Sequence, residues 1–486
     1  MNLLRRKTVV ALQAEAATDT SLHRALSATH LTLLGIGGII GTGIFVLTGT
    51  VAAQNAGPAV TLSFVLAGLA SVFAAFCYSE FASLVPVSGS AYTYGYATFG
   101  EVFAWIIGWD LVLEYAVGAV TVAVGWSGYA VSFLKDFGIL IPPELAAAHG
   151  TPVILADGTT VSALLNLPAV MIVAIVTMML ILGVKESAAF NSVIVVVKVG
   201  VVLLFIAGAV TAINIDHWQP FIPANTGVRE HFGWTGVMAG AGIVFFAYIG
   251  FDAVSTAAQE AKNPQRDMPI AILGSLLICT LLYIAVSAIA TGVVPYSELD
   301  VPDPIAMVAD RAGLGWMGTL IKFGAIAGLS SVILVLLFGQ TRVFWCMAKD
   351  GLLPPFVRHV HARFRTPWIT TLLTGVMVAV LSAVFNVREA GSLCSIGTLL
   401  AFIIVCLGVL LLRIREPRLS RAFRTPWIWV VAPMGAASSF CLMISLPWST
   451  WQRLLIWFVI GMAVYFAYGV RNSRLAQALP PQSNGP

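Results

Sequence analysis

Five glycines fall within nine residues, Gly35-Ile36-Gly37-Gly38-Ile39-Ile40-Gly41-Thr42-Gly43, in the middle of an apolar run from Leu31 to Ala53. The run is long enough to cross a bilayer, which takes about 20 apolar residues in a helix. Each glycine costs a helix interior roughly 1 kcal/mol relative to alanine, so a plain anchor has no use for so many. Two readings remain. One is a close helix crossing, where small residues let two backbones touch. The other is a helix broken at mid-membrane, which is tolerated only where the irregular backbone is buried in protein or lines a cavity. In that case its freed N–H and C=O groups become a binding site. A dinucleotide-binding loop is excluded by spacing: Gly-x-Gly-x-x-Gly counted from Gly35 needs glycine where Ile40 stands, and no strand or acidic ribose ligand follows.

The rest of the chain is equally apolar. Of 486 residues, 59% are hydrophobic and 10% charged, with a mean hydropathy of +0.92, which places the chain among all-α polytopic membrane proteins. Twelve spans are predicted, near 30–54, 59–83, 101–134, 162–183, 190–213, 233–258, 269–294, 316–347, 367–386, 391–412, 426–447 and 451–470. Spans 101–134 and 316–347 exceed the minimum and are expected to be long and tilted. Met1–Thr29 has no apolar core of a cleavable signal peptide. The six cysteines are scattered through apolar segments, which suggests neither a disulfide framework nor a metal site. All seven histidines lie at or outside span ends, and no nucleophile–base pair or phosphate loop is present, so neither an enzyme nor a cofactor is expected. Nothing in the chain points to a nucleic-acid partner.

Basic residues orient the spans. With the N-terminus in the cytoplasm, eighteen of the 26 Lys and Arg fall on the inner side, among them Arg5, Arg6, Lys7, Arg24, Lys185, Lys349, Arg358, Arg365, Arg413 and Arg424. Five fall outside: Lys135, Arg229, Arg311, Arg388 and Arg453. That bias puts both termini in the cytoplasm of a plasma-membrane protein. The connection 84–100, with Ser88, Gly89, Ser90 and three tyrosines, is predicted to pack on the bundle, and Asp157-Gly158 suggests a small external hairpin.

A repeat is legible in the plan. The first span is interrupted, and so is the sixth, where Phe245-Phe246-Ala247-Tyr248-Ile249-Gly250-Phe251-Asp252 sets glycine, aromatics and a carboxylate inside an apolar helix. The third and eighth spans are both overlong. The expected organisation is therefore a cytoplasmic segment 1–29, a first repeat 30–213, a second repeat 233–412 of inverted orientation, two added spans in 426–470 and a cytoplasmic tail 471–486. Inverted repeats with matched broken helices point to a secondary transporter.

These residues resemble a known family. Gly37 to Phe45 is similar to the first-helix signature of amino acid–polyamine–organocation transporters. Cys77-Tyr78-Ser79-Glu80-Phe81, Gly89-Ser90-Ala91-Tyr92, Gly108 to Tyr115, Phe251-Asp252, Glu260 to Pro264 and Gly339-Gln340-Thr341-Arg342 resemble its cationic amino acid transporter branch. The likeness runs from about residue 20 to 470. It implies the five-plus-five inverted-repeat fold with two added helices, and uptake or exchange of amino acids.

The physics of an amino acid agrees with that implication. Its carboxylate suits the N–H groups and positive dipole end of a broken helix, here Gly41, Thr42 and Gly43. Its ammonium suits carbonyls freed by unwinding, those of Ile39, Ile40, Phe246, Ala247 and Ile249, and Phe246 and Ile249 would also line the pocket. Lys198, deep in span five, is expensive in a membrane and is read as functional. In sodium-coupled proteins with this fold a cation bridges spans one and eight, and in this branch the lysine looks like its replacement. Its ammonium is expected to meet carbonyls near Gly35 or Ile36 and the hydroxyls of Ser330 or Ser331. Because desolvation favours a neutral lysine, Lys198 is a candidate proton carrier. Asp110 and Glu114 share a face of span three and are read either as a proton relay or as a structural pair. Glu80 and Asp252 read as struts or caps, and Arg342 as an interfacial charge.

Proton-coupled symport is the leading reading, with uncoupled exchange and a non-transporting sensor as alternatives; the tails are short for a sensor's output domain. Kinship suggests a cationic substrate. Ile333, however, is expected to face the substrate side chain, and a bulky apolar residue offers no acceptor for a distal charge. Neutral, small to medium L-amino acids are therefore expected ahead of arginine.

Overall fold

The computed structural model describes residues 4–18, 26–87, 89–155, 158–182, 188–359, 361, 363–364 and 366–478. Arg24, Lys185, Arg365, Ser88 and Asp157 of the sequence reading lie outside the described residues.

The chain is a helical bundle. In chain order it contains α1 (Val9–Thr18), α2 (Ala28–Ile39), α3 (Thr48–Val51), α4 (Val60–Leu84), α5 (Ser90–Thr98), α6 (Glu101–Asp136), α7 (Leu167–Leu182) and α8 (Ala188–Ala209). There follow α9 (Gly233–Val244), α10 (Phe251–Val254), α11 (Pro264–Val293), α12 (Pro304–Arg311), α13 (Gly315–Lys349), α14 (Trp368–Val384), α15 (Val387–Arg415), α16 (Ile428–Ser445) and α17 (Trp448–Val464). Among the described residues, nine helical stretches are long and apolar enough to cross a membrane, and three more apolar helices, α2, α7 and α14, are shorter. The two overlong spans are present as α6, 36 residues, and α13, 35 residues. They pack against each other along the middle of the bundle. At 1.5 Å per residue α6 is about 54 Å long.

The two interrupted helices are held in matching ways. α2 packs on α11, α9 packs on α4, and α4 and α11 pack on each other. The segment after the first break also departs from regular α geometry: Gly43–Leu47 and Ala52–Ala56 are π-helical turns, and the chain enters α4 through a 3-10 turn at Gly57–Ala59.

The 84–100 connection forms a buried helix, α5, whose tyrosines pack inward. Tyr94 stacks on Phe81 with ring centroids 4.7 Å apart. The predicted hairpin is present, with Pro152–Ile154 antiparallel to Thr160–Ser162 and Val153 opposite Val161. Segments from the two ends of the described chain meet at Asp350: Lys7 pairs with its carboxylate at 2.7 Å, Tyr92 donates to its other oxygen at 2.7 Å, and the Arg474 N–H donates to its carbonyl at 3.0 Å. Glu80 is the strut its position suggested. Arg413 grips it through two bonds of 2.7 and 2.8 Å, and the Thr425 N–H donates to it at 2.8 Å, which ties α4 to the far end of α15.

Candidate functional site

The first break lies where the glycine cluster placed it. α2 stops at Ile39 because Ile40 takes an extended conformation, φ −72° and ψ 98°. The chain resumes a helical course at Gly43, so the N–H groups of Gly41 to Gly43 open a new helical segment, the part of a helix that has no internal acceptor. The second break follows the 3-10 turn Phe245–Tyr248. There Ile249 is extended and Gly250 has φ +125°. That value is open to glycine and disfavoured for other residues. Asp252 Oδ1 accepts the Gly250 N–H at 3.0 Å, the cap expected of it.

The two breaks touch backbone to backbone. A Cβ placed on Gly250 would lie 2.7 Å from the Gly38 carbonyl carbon. One placed on Gly43 would lie 2.5 Å from Ala247 Cα and closer still to its Cβ. The glycines of the first break therefore serve both sequence readings together: the helix is broken, and its backbone approaches a second broken helix.

The carbonyls of Gly37, Ile39, Ile40, Phe246 and Ala247 at the breaks have donors. Tyr283, on α11, donates its hydroxyl toward the Ile39 carbonyl at 2.7 Å and the Ala247 carbonyl at 2.8 Å, so one phenol spans both breaks. Phe246 O takes the Ile249 N–H at 3.2 Å. Lys198 donates from Nζ to Ile40 O at 2.9 Å and to Gly37 O. The lysine thus reaches the first break as expected, at Gly37 and Ile40 rather than Gly35 or Ile36. Buried carbonyls need donors, and these are the donors the fold supplies. Sequence reading passed over Tyr283. Its signal was a lone phenol between Leu281-Leu282 and Ile284 in an otherwise apolar span.

The serines on α13 do not meet Lys198. Ser330 donates to Ile326 O at 2.8 Å and accepts from Trp126 Nε1, and Ser331 donates to Gly328 O at 2.8 Å. Inside an apolar helix a serine hydroxyl finds a carbonyl one turn back more readily than a distant cation. What α13 offers the lysine is Gly328: a Cβ there would lie 3.1 Å from Lys198 Cδ. Four residues on, Val332 faces the first break, its methyl groups 3.7 and 3.8 Å from a Cβ placed on Gly41. Ile333, fully buried, lies one residue further around the helix, so the side chain that the fold sets against Gly41 is Val332. Phe246 and Ile249 are buried, and Thr42 turns a buried hydroxyl with no protein partner toward Gly125.

Asp110 and Glu114 are both buried on the face of α6 that meets α15. A Cβ on Gly397 would touch Asp110 Oδ1 at 2.8 Å, and Cys394 Sγ donates to the Glu114 carbonyl at 3.2 Å. Arg342 does not pair with them. It reaches Glu260 at 3.4 Å.

The sequence that builds this geometry, two broken helices meeting with a lysine and a tyrosine on their carbonyls, is similar to the sequences of known proteins. The family described as amino acid permease matches residues 26–466. The chain is 48% identical to the branched-chain amino acid permease BcaP of Bacillus subtilis (strain 168), over 98% of this chain and 99% of that one. It is 45% identical to the methylthioribose transporter of the same organism, over 98% and 99%. It is 38% identical to cationic amino acid transporter 2, vacuolar, of Arabidopsis thaliana, over 86% of this chain and 64% of that one.

Proposed function

Given that the chain belongs to the amino acid permease family, a family of polytopic membrane transporters and not of enzymes, we propose that it is a proton-driven importer of neutral L-amino acids. In this reading twelve spans form a five-plus-five inverted repeat with two added helices, and both termini face the cytoplasm. The reciprocal packing of α2 on α11 and α9 on α4 supports the repeat. The meeting of Lys7 and Arg474 at Asp350 supports a common side for the termini.

The substrate sits where the breaks meet. Its carboxylate takes the N–H groups of Gly41, Thr42 and Gly43. Its ammonium takes carbonyls of Ile39, Ala247 and Ile249, displacing the Tyr283 hydroxyl. Its side chain lies among Phe246, Ile249 and Val332, with Ile333 behind. That wall is apolar and holds no acceptor for a distal cation, which favours alanine or a branched aliphatic side chain over arginine. The relative named as a branched-chain amino acid permease supports the same choice.

The observation that carries the coupling is the Lys198 ammonium on the Gly37 and Ile40 carbonyls. Protonated, the lysine ties α8 to the first break and holds the site assembled. On losing its proton to the cytoplasm it loses charge-assisted bonds to those carbonyls, and the first helix is released. A ligand shifts a conformational equilibrium only through unequal affinity for the two states, and these bonds supply the inequality. Ser330 and Ser331 fix α13 in this reading rather than carry the proton.

The test is uptake of labelled alanine, isoleucine and arginine into proteoliposomes, with and without an inward proton gradient and with sodium present or absent. Gradient-driven accumulation of alanine or isoleucine that ignores sodium is expected. Exchange without accumulation would replace symport by antiport, the alternative that the same fold supports. Arginine uptake stronger than alanine would overturn the pocket assignment.

A further inference from the structure

The connection between α15 and α16 joins two helices that are each long and apolar enough to cross a membrane, so it lies at a bilayer surface. From Arg413 to Thr425 the chain carries five arginines against a single acid, Glu416. Two of the five face inward. Arg413 grips Glu80, and Arg421 Nε stands 3.1 Å from the same carboxylate. Arg421 also donates to the carbonyls of Glu416 and Leu419 at 3.1 and 3.0 Å, and the Thr425 hydroxyl donates to Phe76 O at 3.0 Å. The connection is therefore pinned onto the end of α4 rather than left loose.

The other three arginines are exposed. Arg415 donates to a neutral carbonyl, Thr98 O, at 3.0 Å, which leaves its charge uncompensated. Arg418 and Arg424 have no bonded partner among the described residues. Next to them in the chain stand two protruding indoles. Trp427 is 83% exposed and Trp429 65%. Trp427 caps the start of α16 with φ +42°, a left-handed conformation uncommon outside glycine. A loop in bulk water would bury such rings. At a membrane interface an indole keeps its apolar body toward the acyl chains and its N–H among the headgroups.

Free guanidinium groups at the same surface as exposed indoles match one ligand chemistry, a phosphate carried on apolar chains. Guanidinium forks take phosphate oxygens in pairs. We propose that this connection binds the headgroup of an anionic phospholipid, with Arg418 and Arg424 on the phosphate and Trp427 against the glycerol and upper acyl chain. Glu80 fixes the loop beforehand, so binding does not have to order it. The bond from Arg415 to Thr98 places the site on the face that also carries the N-terminal segment, where the Arg5 carbonyl accepts the Glu101 N–H at 2.9 Å. In the topology proposed above this is the cytoplasmic leaflet, whose anionic lipids attract basic segments beside a span. Only the choice of leaflet rests on that reading.

Native mass spectrometry of the purified full-length protein in detergent, with phosphatidylglycerol or phosphatidylcholine added, reads the bound lipid and depends on neither orientation nor transport. The wild type should retain phosphatidylglycerol in preference to phosphatidylcholine. Arg418→Gln and Arg424→Gln should each weaken that retention about fivefold, the contribution of one basic residue near an anionic surface. Arg418→Lys should keep most of it, and Trp427→Ala should lower it. Neither arginine is bonded within the fold, so the melting temperatures of the glutamine variants should match the wild type. Arg471→Gln removes an exposed charge elsewhere on the same face and should change nothing. An equal loss in Arg471→Gln would reduce the effect to net charge and overturn the proposal. So would undiminished retention in the double variant Arg418→Gln/Arg424→Gln. Displacement of the lipid by inorganic phosphate would also overturn it, by giving the site to a soluble anion.

Discussion

The contact between Gly43 and Ala247 lends itself to a quantitative test. In Gly43→Ala the new methyl carbon would lie 2.5 Å from Ala247 Cα and 3.2 Å from its N. Non-bonded carbons settle at about 3.5–4.0 Å, so the two breaks must separate by roughly 1 Å or more. The obstructing atoms include the backbone of a second broken helix, which Tyr283 and Asp252 hold in place, so no side-chain rotation relieves the clash. Overpacking of this kind costs about 1–3 kcal/mol. At tenfold per 1.4 kcal/mol, substrate affinity should fall by about 5- to 150-fold, since the same separation pulls the Gly43 N–H away from the Ala247 carbonyl. Gly41→Ala is the control for the fold. Its methyl would find the Val332 side chain at 3.7 Å, an ordinary contact, and the stability of the unliganded protein should not change. Calorimetric binding and thermal melting of the purified variants give both quantities. A Gly43→Ala protein that melts and binds like the wild type, or one that is destabilised no more than Gly41→Ala, would refute the placement of the site between the breaks.

Lys198→Met and Lys198→Arg should both lose gradient-driven accumulation, the first for want of a charge and the second because arginine does not release its proton; full accumulation by Lys198→Met would remove the lysine from coupling. Tyr283→Phe strips the shared donor from two buried carbonyls and should cost the unliganded protein about 1–3 kcal/mol. Substrate ammonium should restore part of that loss, so the melting shift on adding ligand should exceed the wild-type shift, and an equal shift would count against the ammonium position. Val332→Ser should broaden the substrate range toward larger or cationic side chains more than Ile333→Ser does, and the reverse order would return the pocket wall to Ile333. Reporter fusions at Ser483 and in the 135–161 connection should report opposite sides of the membrane; agreement between them would break the proposed topology.

The features legible in the sequence were those fixed by local chemistry and by the bilayer. Hydrocarbon cannot satisfy a backbone N–H or C=O, so every crossing segment has to be an apolar helix. The run lengths therefore gave the helices, including the overlong α6 and α13, within a few residues of where they stand. Glycine at Gly43, where a Cβ would lie 2.5 Å from Ala247 Cα, and at Gly250, with φ +125°, marked both breaks because no other residue approaches as closely at the first or tolerates the conformation of the second. A lysine among valines announced a partnered charge. The identity of each partner depends on which helix lies alongside, and one helix's own pattern does not record that. Lys198 was expected near Gly35 or Ile36 and the α13 serines, and it sits on Gly37 and Ile40 because α8 meets α2 at that height while the serines turn back onto their own helix. Val332 rather than Ile333 meets Gly41 because a one-residue rotation of α13, about 100° around the helix axis, is set by its packing on α6. Tyr283 bridges two breaks 208 residues apart, Ile39 and Ala247, and only the folding of α11 between them brings one hydroxyl within reach of both.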